Sequence, residues 1–130
     1  MAKKNMIICD TNVLIELFKN NERIVSEIHK IGLDQLAVSS ITTGELLYGA
    51  RDKQEMVFIQ KRLGLIQQIH LDTEISQQYI ELMSKYALSH KISVPDALIA
   101  ATVLKHEAVL FTLNKKDFQY IPGLNLLQID

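Results

Sequence analysis

Short apolar runs and longer apolar stripes take turns along the chain. Met6, Ile7, Ile8 and Cys9 form an unbroken run that Asp10, Thr11 and Asn12 stop abruptly. It is too short for a helix and fits a strand buried on both faces, as in a parallel sheet covered by helices. Val13, Leu14, Ile15, Leu17 and Phe18 then recur with helical spacing. Asn20 and Asn21 break that helix. Ile24, Val25, Ile28 and Ile31 predict the next one, with Gly32 as its stop. Leu36 to Val38, followed by Ser39 and Ser40, read as a second strand. Thr42 opens a helix carrying Leu46, Leu47 and Tyr48, and Arg51 to Lys53 is a polar joint. Met56 to Leu63 predicts a helix with Val57, Ile59 and Leu63 inward, and Ile66 to Leu71 a short extended piece.

In the second half, Asp72 or Thr73 caps a long helix with the stripe Ile75, Tyr79, Leu82, Met83 and Tyr86, a core-facing pattern. Ser89 to Ser93 reads as a loop. Pro95 starts a helix that runs to His106 and is apolar nearly all round, which marks it as central. Val109 to Phe111 is a third buried strand ending at Thr112. Lys115 to Phe118 is a single turn, Pro122 and Gly123 mark another, and Leu126 to Ile129 is a last strand. Strands separated by helices predict an α/β fold with a parallel sheet and right-handed crossovers.

A length of 130 residues, with no repeat or linker, fits one domain over 1–130 that buries a core without disulfides. Lys and Arg number 14 against 15 Asp and Glu. That balance excludes a protein that grips nucleic acid mainly by counterion release. Cys9 is the only cysteine, so there is no disulfide framework, and it reads as a small buried hydrophobe. Met1 to Asn5 is too short and polar for a signal peptide, and no segment approaches the ~20 apolar residues that span a bilayer. A soluble cytoplasmic protein without a membrane anchor is expected.

Three carboxylates stand where strands hand over to helices or where a helix opens. Each has a structural reading. Asp10 caps the helix after the first strand. Glu45 completes a capping box in Thr42-Thr43-Gly44-Glu45. Asp96 lies in the first turn of the apolar helix, where a negative charge suits the macrodipole. In a parallel sheet, however, every strand-to-helix turn lies on one edge, and ligands bind in the crevice there. Asp10 and Glu45 follow the first two strands, and the apolar helix would bring Asp96 to the same edge. Three carboxylates in one crevice repel each other and raise their pKa values unless a cation joins them. Oxygen-only donors select hard ions such as Mg²⁺ or Mn²⁺, which activate water and polarise phosphoryl oxygens. Phosphodiester hydrolysis is the natural use.

The pieces IICDTNVLI, SSITTGELLYGA, VPDALIAA and FTLNKKDFQYIPGL occur in this order and span nearly the whole chain. Together they resemble the PIN-domain nucleases and, within them, the VapC-like toxins of bacterial type II toxin–antitoxin pairs. The resemblance implies a PIN-like three-layer α/β/α fold with a central, mostly parallel sheet. It implies a Mg²⁺- or Mn²⁺-dependent endoribonuclease acting on RNA and inhibited by a cognate VapB-like antitoxin. The family's acidic set falls on Asp10, Glu45 and Asp96. It also favours a homodimer, for which Met56 to Leu65 is the candidate surface.

One position departs from the fullest family pattern. Many relatives carry a fourth acid just after the Thr-ended third strand, where this chain has Asn114. Asn114 can offer a carbonyl oxygen but no charge, and Asp117, one helical turn on, is the alternative. Thr11, Asn12 and Thr112 are candidates for orienting the acids. Arg51, Lys53, Lys115 and Lys116 flank the expected mouth and could meet phosphates. His29, His70, His90 and His106 neither pair at helical spacing nor adjoin an acid in sequence, and read as structural. An acidic crevice without matching cations would trap an Arg or Lys from the antitoxin. Two rival readings remain at this stage. A phosphohydrolase of the haloacid-dehalogenase kind would use Asp10 as nucleophile but wants an acid where Asn12 stands. A non-catalytic α/β binding module would use its acids only as caps.

Overall fold

The computed structural model describes residues 6–129. The expectation for Met1 to Asn5 lies outside them. Five strands form one sheet: β1 (Ile7–Cys9), β2 (Leu36–Ser39), β3 (Gln67–Ile69), β4 (Val109–Phe111) and β5 (Asn125–Leu126), in the order β3-β2-β1-β4-β5 with all pairings parallel. Six α-helices surround it: α1 (Thr11–Phe18), α2 (Glu22–Ile31), α3 (Ser40–Tyr48), α4 (Lys53–Leu63), α5 (Thr73–His90) and α6 (Val94–Lys105).

The alternation of side chains along each short strand divides the core in two. Ile8, Ala37 and Leu110 pack on one face with Ile75 and Leu82 of α5 and Ala97, Ala100 and Val103 of α6. Ile7, Cys9, Leu36, Val38 and Phe111 pack on the other with Val13 and Leu14 of α1, Ile24 and Ile28 of α2, Leu46 of α3, and Ile59 and Leu63 of α4. This is the three-layer arrangement, and it explains the unbroken apolar runs: β1 is buried on both faces along its whole length. Helix α6 buries six residues, in keeping with its all-round apolar character. Among the described residues, no helix is long and apolar enough to cross a membrane.

Several boundaries differ from expectation. Helix α3 starts at Ser40, with the Ser39 side chain accepting from the Thr42 amide at 3.4 Å. Thr42 is therefore inside the helix, and Thr42 and Glu45 do not form a capping box. Sequence favoured Thr42 because its Glu three residues on completes a known pattern, but the competing Ser39 ends the strand itself. Val57 is 40% exposed rather than inward. Helix α5 continues through Ser89 to His90 and stops on a left-handed Lys91 at φ 53°, so the loop to α6 is only Lys91, Ile92 and Ser93. The last strand is Asn125–Leu126, although the Leu127 amide still donates to the Leu110 carbonyl at 2.8 Å.

The chain visits β1, β2 and β3 in one direction along the sheet and then crosses to β4 and β5 on the other side of β1. The point of reversal lies between β1 and β4, and the helical layers part there at the carboxyl ends of the strands. Beyond β4, the 3-10 turn at Lys115–Asp117 is anchored by Phe118, which is fully buried with the α5 and α6 side chains. Truncation of Phe118 to Ala should cost ~3–5 kcal/mol, as for buried aromatic residues generally. Urea unfolding of Phe118→Ala should show this loss, and a midpoint equal to that of the parent would show that the turn is not anchored by this side chain.

Candidate active site

Asp10 ends β1 at the reversal point and is 6% exposed. As the N-cap of α1, it accepts the Thr11 amide on Oδ1 at 2.8 Å. Its other oxygen accepts the Thr112 hydroxyl at 2.7 Å from the end of β4. The Thr112 hydroxyl also accepts the Asn114 amide at 3.1 Å, and the Asn12 side chain accepts the Leu113 amide at 3.3 Å. The Asp10 amide itself donates to the Phe111 carbonyl at 2.8 Å. The two strand ends are thus laced together around one buried carboxylate. The capping reading of Asp10 is correct, and its second oxygen does more than capping requires.

Helix α6 runs against the strand direction, back to the start of β4, so its N-terminus lies at the carboxyl edge. Asp96 stands there, half-buried, with its amide donating to the N-cap Ser93 hydroxyl at 3.2 Å. Glu45 projects from the second turn of α3 and is exposed. Its Oε1 accepts the Thr11 hydroxyl at 2.6 Å, and that hydroxyl lies 3.2 Å from Thr42 Oγ1. Asp117 is exposed on the 3-10 turn, close enough to act electrostatically on Asp10 and Asp96. The Asn114 side chain is exposed and does not cap this turn; its amide is what touches the cluster, through Thr112.

The charges make themselves felt. Burial pushes the Asp10 carboxyl above the usual range, the hydrogen bonds from Thr112 and Thr11 pull it back, and the Glu45 and Asp117 charges push it up again. Asp96 is pushed up to about 6, first by burial and then by the Asp10 charge, with a Ser93 hydrogen bond opposing and Asp117 and Glu45 adding. The Thr112 and Thr11 hydrogen bonds favour the ionised form of Asp10, and its charge in turn disfavours ionisation of Asp96. Burial, followed by the Asp10 charge, pushes the Cys9 thiol up to about 12, which keeps it an inert core residue.

Beside Glu45, a cavity of about 470 Å³ opens between α1, α3 and α4. Ile15, Phe18, Leu46, Phe58 and Ile59 give it an apolar lining, with Phe18 and Phe58 edge to face at 6.0 Å. Arg51 borders it but is held by Glu55 through bonds of 3.0 and 2.8 Å. Lys115 is similarly engaged by Gln128 at 3.0 Å. Of the stretch Met56 to Leu65, Phe58 and Ile59 face this groove while Leu65 is 61% exposed. Reading the sequence did not reveal the groove, because its walls come from three helices whose exposed apolar residues look incidental one at a time.

The model of the PIN domain matches residues 7–124. The chain belongs to the PIN-domain family. Within it, the chain is 30% identical to a protein named Ribonuclease VapC from Rickettsia bellii, with 95% of this chain and 96% of that one covered. It is 25% identical to the tRNA(fMet)-specific endonuclease VapC of Salmonella typhimurium, over 90% of this chain and 92% of that one. Among solved structures it resembles a toxin-antitoxin complex from Klebsiella pneumoniae, with a TM-score of 0.79 and 30% identity over 94% of this chain and 96% of that one. This PIN domain is a VapC relative in sequence and in fold. The haloacid-dehalogenase alternative falls away with that membership, and Asn12 is occupied with the backbone after β4.

A pH dependence follows. Folding raises the Asp96 pKa, so its ionised form is the one the folded state disfavours. Its contribution to stability falls as pH rises from the unfolded value of 3.8 through about 6 and stays lost above. Without divalent ions, Asp96→Asn should therefore melt at a higher temperature than the parent at pH 7.5. The difference should vanish below about pH 4, where both side chains are neutral. Thermal unfolding across this range checks it; a difference that is independent of pH would contradict the electrostatic account.

Proposed function

We propose that this PIN domain is an endoribonuclease that hydrolyses RNA phosphodiester bonds with a bound Mg²⁺ or Mn²⁺, the toxin of a toxin–antitoxin pair. The reading is carried by the buried Asp10 at the reversal point of a parallel sheet, with the half-buried Asp96 and the Glu45 and Asp117 carboxylates near enough for their charges to act on one another. Caps have no need to be brought together and made to repel. A cation relieves that repulsion, and an oxygen-only donor set suits a hard one. Among the described residues, no three His, Cys, Asp or Glu side chains close up into a ready cage.

Asp10 and Asp96 would be those direct ligands. Thr112 and the Thr11 amide fix the Asp10 carboxylate so that it need not reorganise. Glu45, exposed and oriented by the Thr11 hydroxyl, would either join the ligand set or accept the proton of the attacking water. Asp117 and Asn114 stand as auxiliary groups. When bound, the ion lowers the pKa of a coordinated water and polarises the phosphoryl oxygen. The expected site of action is the cytoplasm, where such an RNA substrate would be met.

Parent protein with Mn²⁺ or Mg²⁺ should cleave RNA and stop in chelator. Asp10→Asn and Asp96→Asn should abolish cleavage while remaining folded, and Glu45→Gln should slow it by about 10²–10⁴ if it serves as the base. In parallel, Mn²⁺ at about 100 times its Kd should stabilise the parent by ~2.7 kcal/mol and the two amide variants much less. A parent melting point that ignores millimolar Mn²⁺ would sink the metal site and leave the non-catalytic binding module standing.

The partner reading rests on the groove beside Glu45. The relative from Klebsiella pneumoniae is described as a toxin-antitoxin complex. For this chain, a VapB-like antitoxin would lay an amphipathic segment along Phe18 and Phe58 and extend an Arg or Lys toward Asp10 and Asp96. Replacing that basic residue by Gln should weaken inhibition and leave a groove substitution such as Phe58→Ser additive with it. Full inhibition by the Gln antitoxin would count against the charge contact.

A further inference from the structure

The helix hairpin of α5 and α6 turns through only Lys91, Ile92 and Ser93, so the end of α5 stands beside the start of α6 and its Asp96. At that end, His90 lies face to face with Tyr120, with ring centroids 3.9 Å apart and planes 14° from parallel. Tyr86 closes edge-on against both, at 5.6 Å from His90 and 5.0 Å from Tyr120. Tyr86 and Tyr120 pack against the core, whereas His90 is exposed. Tyr120 follows Asp117 by three residues, and the Asp96 and Asp117 charges help burial to raise its pKa. The stack is thus a neighbour of the acidic cluster, on the side of the sheet opposite the apolar groove.

His90 Nδ1 lies 2.8 Å from the Ser89 hydroxyl, but the end of the helix is closed without the ring. Backbone amides of Lys91 and Ile92 already close the end of α5 on the Tyr86 carbonyl. An acidic site on a chain of net charge -1 does, however, need contacts to RNA that are not ionic. Aromatic faces supply such contacts, because every unpaired base can stack on them. We propose that His90, backed by Tyr120, is a nucleobase subsite on which an unpaired base next to the scissile phosphate stacks. Lys91 and Lys116, exposed beside His90 and Asp117 in the chain, would meet the flanking phosphates. The proposal rests on the ribonuclease reading and adds that the RNA is gripped by a base in an unpaired segment.

The test uses the full-length protein loaded with Mn²⁺ and single-stranded oligoribonucleotides carrying 2-aminopurine at each position in turn. In rapid mixing, before cleavage, one position should be quenched by the parent. The quench should be lost in His90→Ala and in His90→Leu, which still covers Tyr120 but has no aromatic face, and be restored in His90→Phe. KM for the oligoribonucleotide should rise about tenfold in the first two variants with kcat little changed. A quench that survives His90→Leu, or no quench by the parent, overturns the proposal. So does a loss confined to kcat, or failure of His90→Phe to restore. A parent that cleaves no RNA refutes the ribonuclease reading instead, and the quench alone then decides whether the stack binds bases.

Discussion

A carboxylate can be buried at the end of a strand only if its oxygens are satisfied, and at Asp10 this is done by a hydroxyl 102 residues away. That bond exists because β1 and β4 are neighbours with the same direction, and because the chain reverses its march across the sheet between them. The register Cys9 to Phe111 brings Asp10 and Thr112 to the same height. Every other feature of the cluster leans on this one. Thr11 follows Asp10 and reaches Glu45. The Thr112 hydroxyl receives the Asn114 amide and so starts the turn that presents Asp117.

Much of this was legible in the sequence, and for identifiable reasons. The buried strands are short apolar runs because both faces of the sheet are covered. Asp10 and Asp96 stand out in the sequence because one ends a strand and the other lies in the first turn of a helix. Glu45 was legible as a member but not in its local role. The expected capping box gave way to a cap on Ser39 and left the Glu45 carboxylate free to meet Thr11. The groove and the His90–Tyr120 stack were illegible, because they join residues from different helices and loops that share no pattern along the chain. His90 carries no signal beside Ser89 and Lys91; its meaning comes from a residue thirty positions later.

The two faces of the sheet divide the labour. On one face, α1, α3 and α4 leave an apolar groove that ends at Glu45. On the other, the α5–α6 hairpin delivers Asp96 and the aromatic stack to the same edge, and it is tied at its far end by the Asp72–Lys105 ion pair. A partner protein and an RNA base could thus approach the acids from opposite sides while competing only at the acids themselves.

The span between Asp10 and Thr112 also bears on how such a protein is made. Asp10 precedes Thr112 by 102 residues, so in a growing chain the carboxylate is made long before its partner. Until then the β1 carboxylate lacks its hydroxyl, Asp117 has not been synthesised, and the central strand has one neighbour instead of two. Contacts of such long sequence separation are also slow to form. The acidic cluster is therefore completed only when β4 has been made, and until then nothing holds the Asp10 carboxylate from that side.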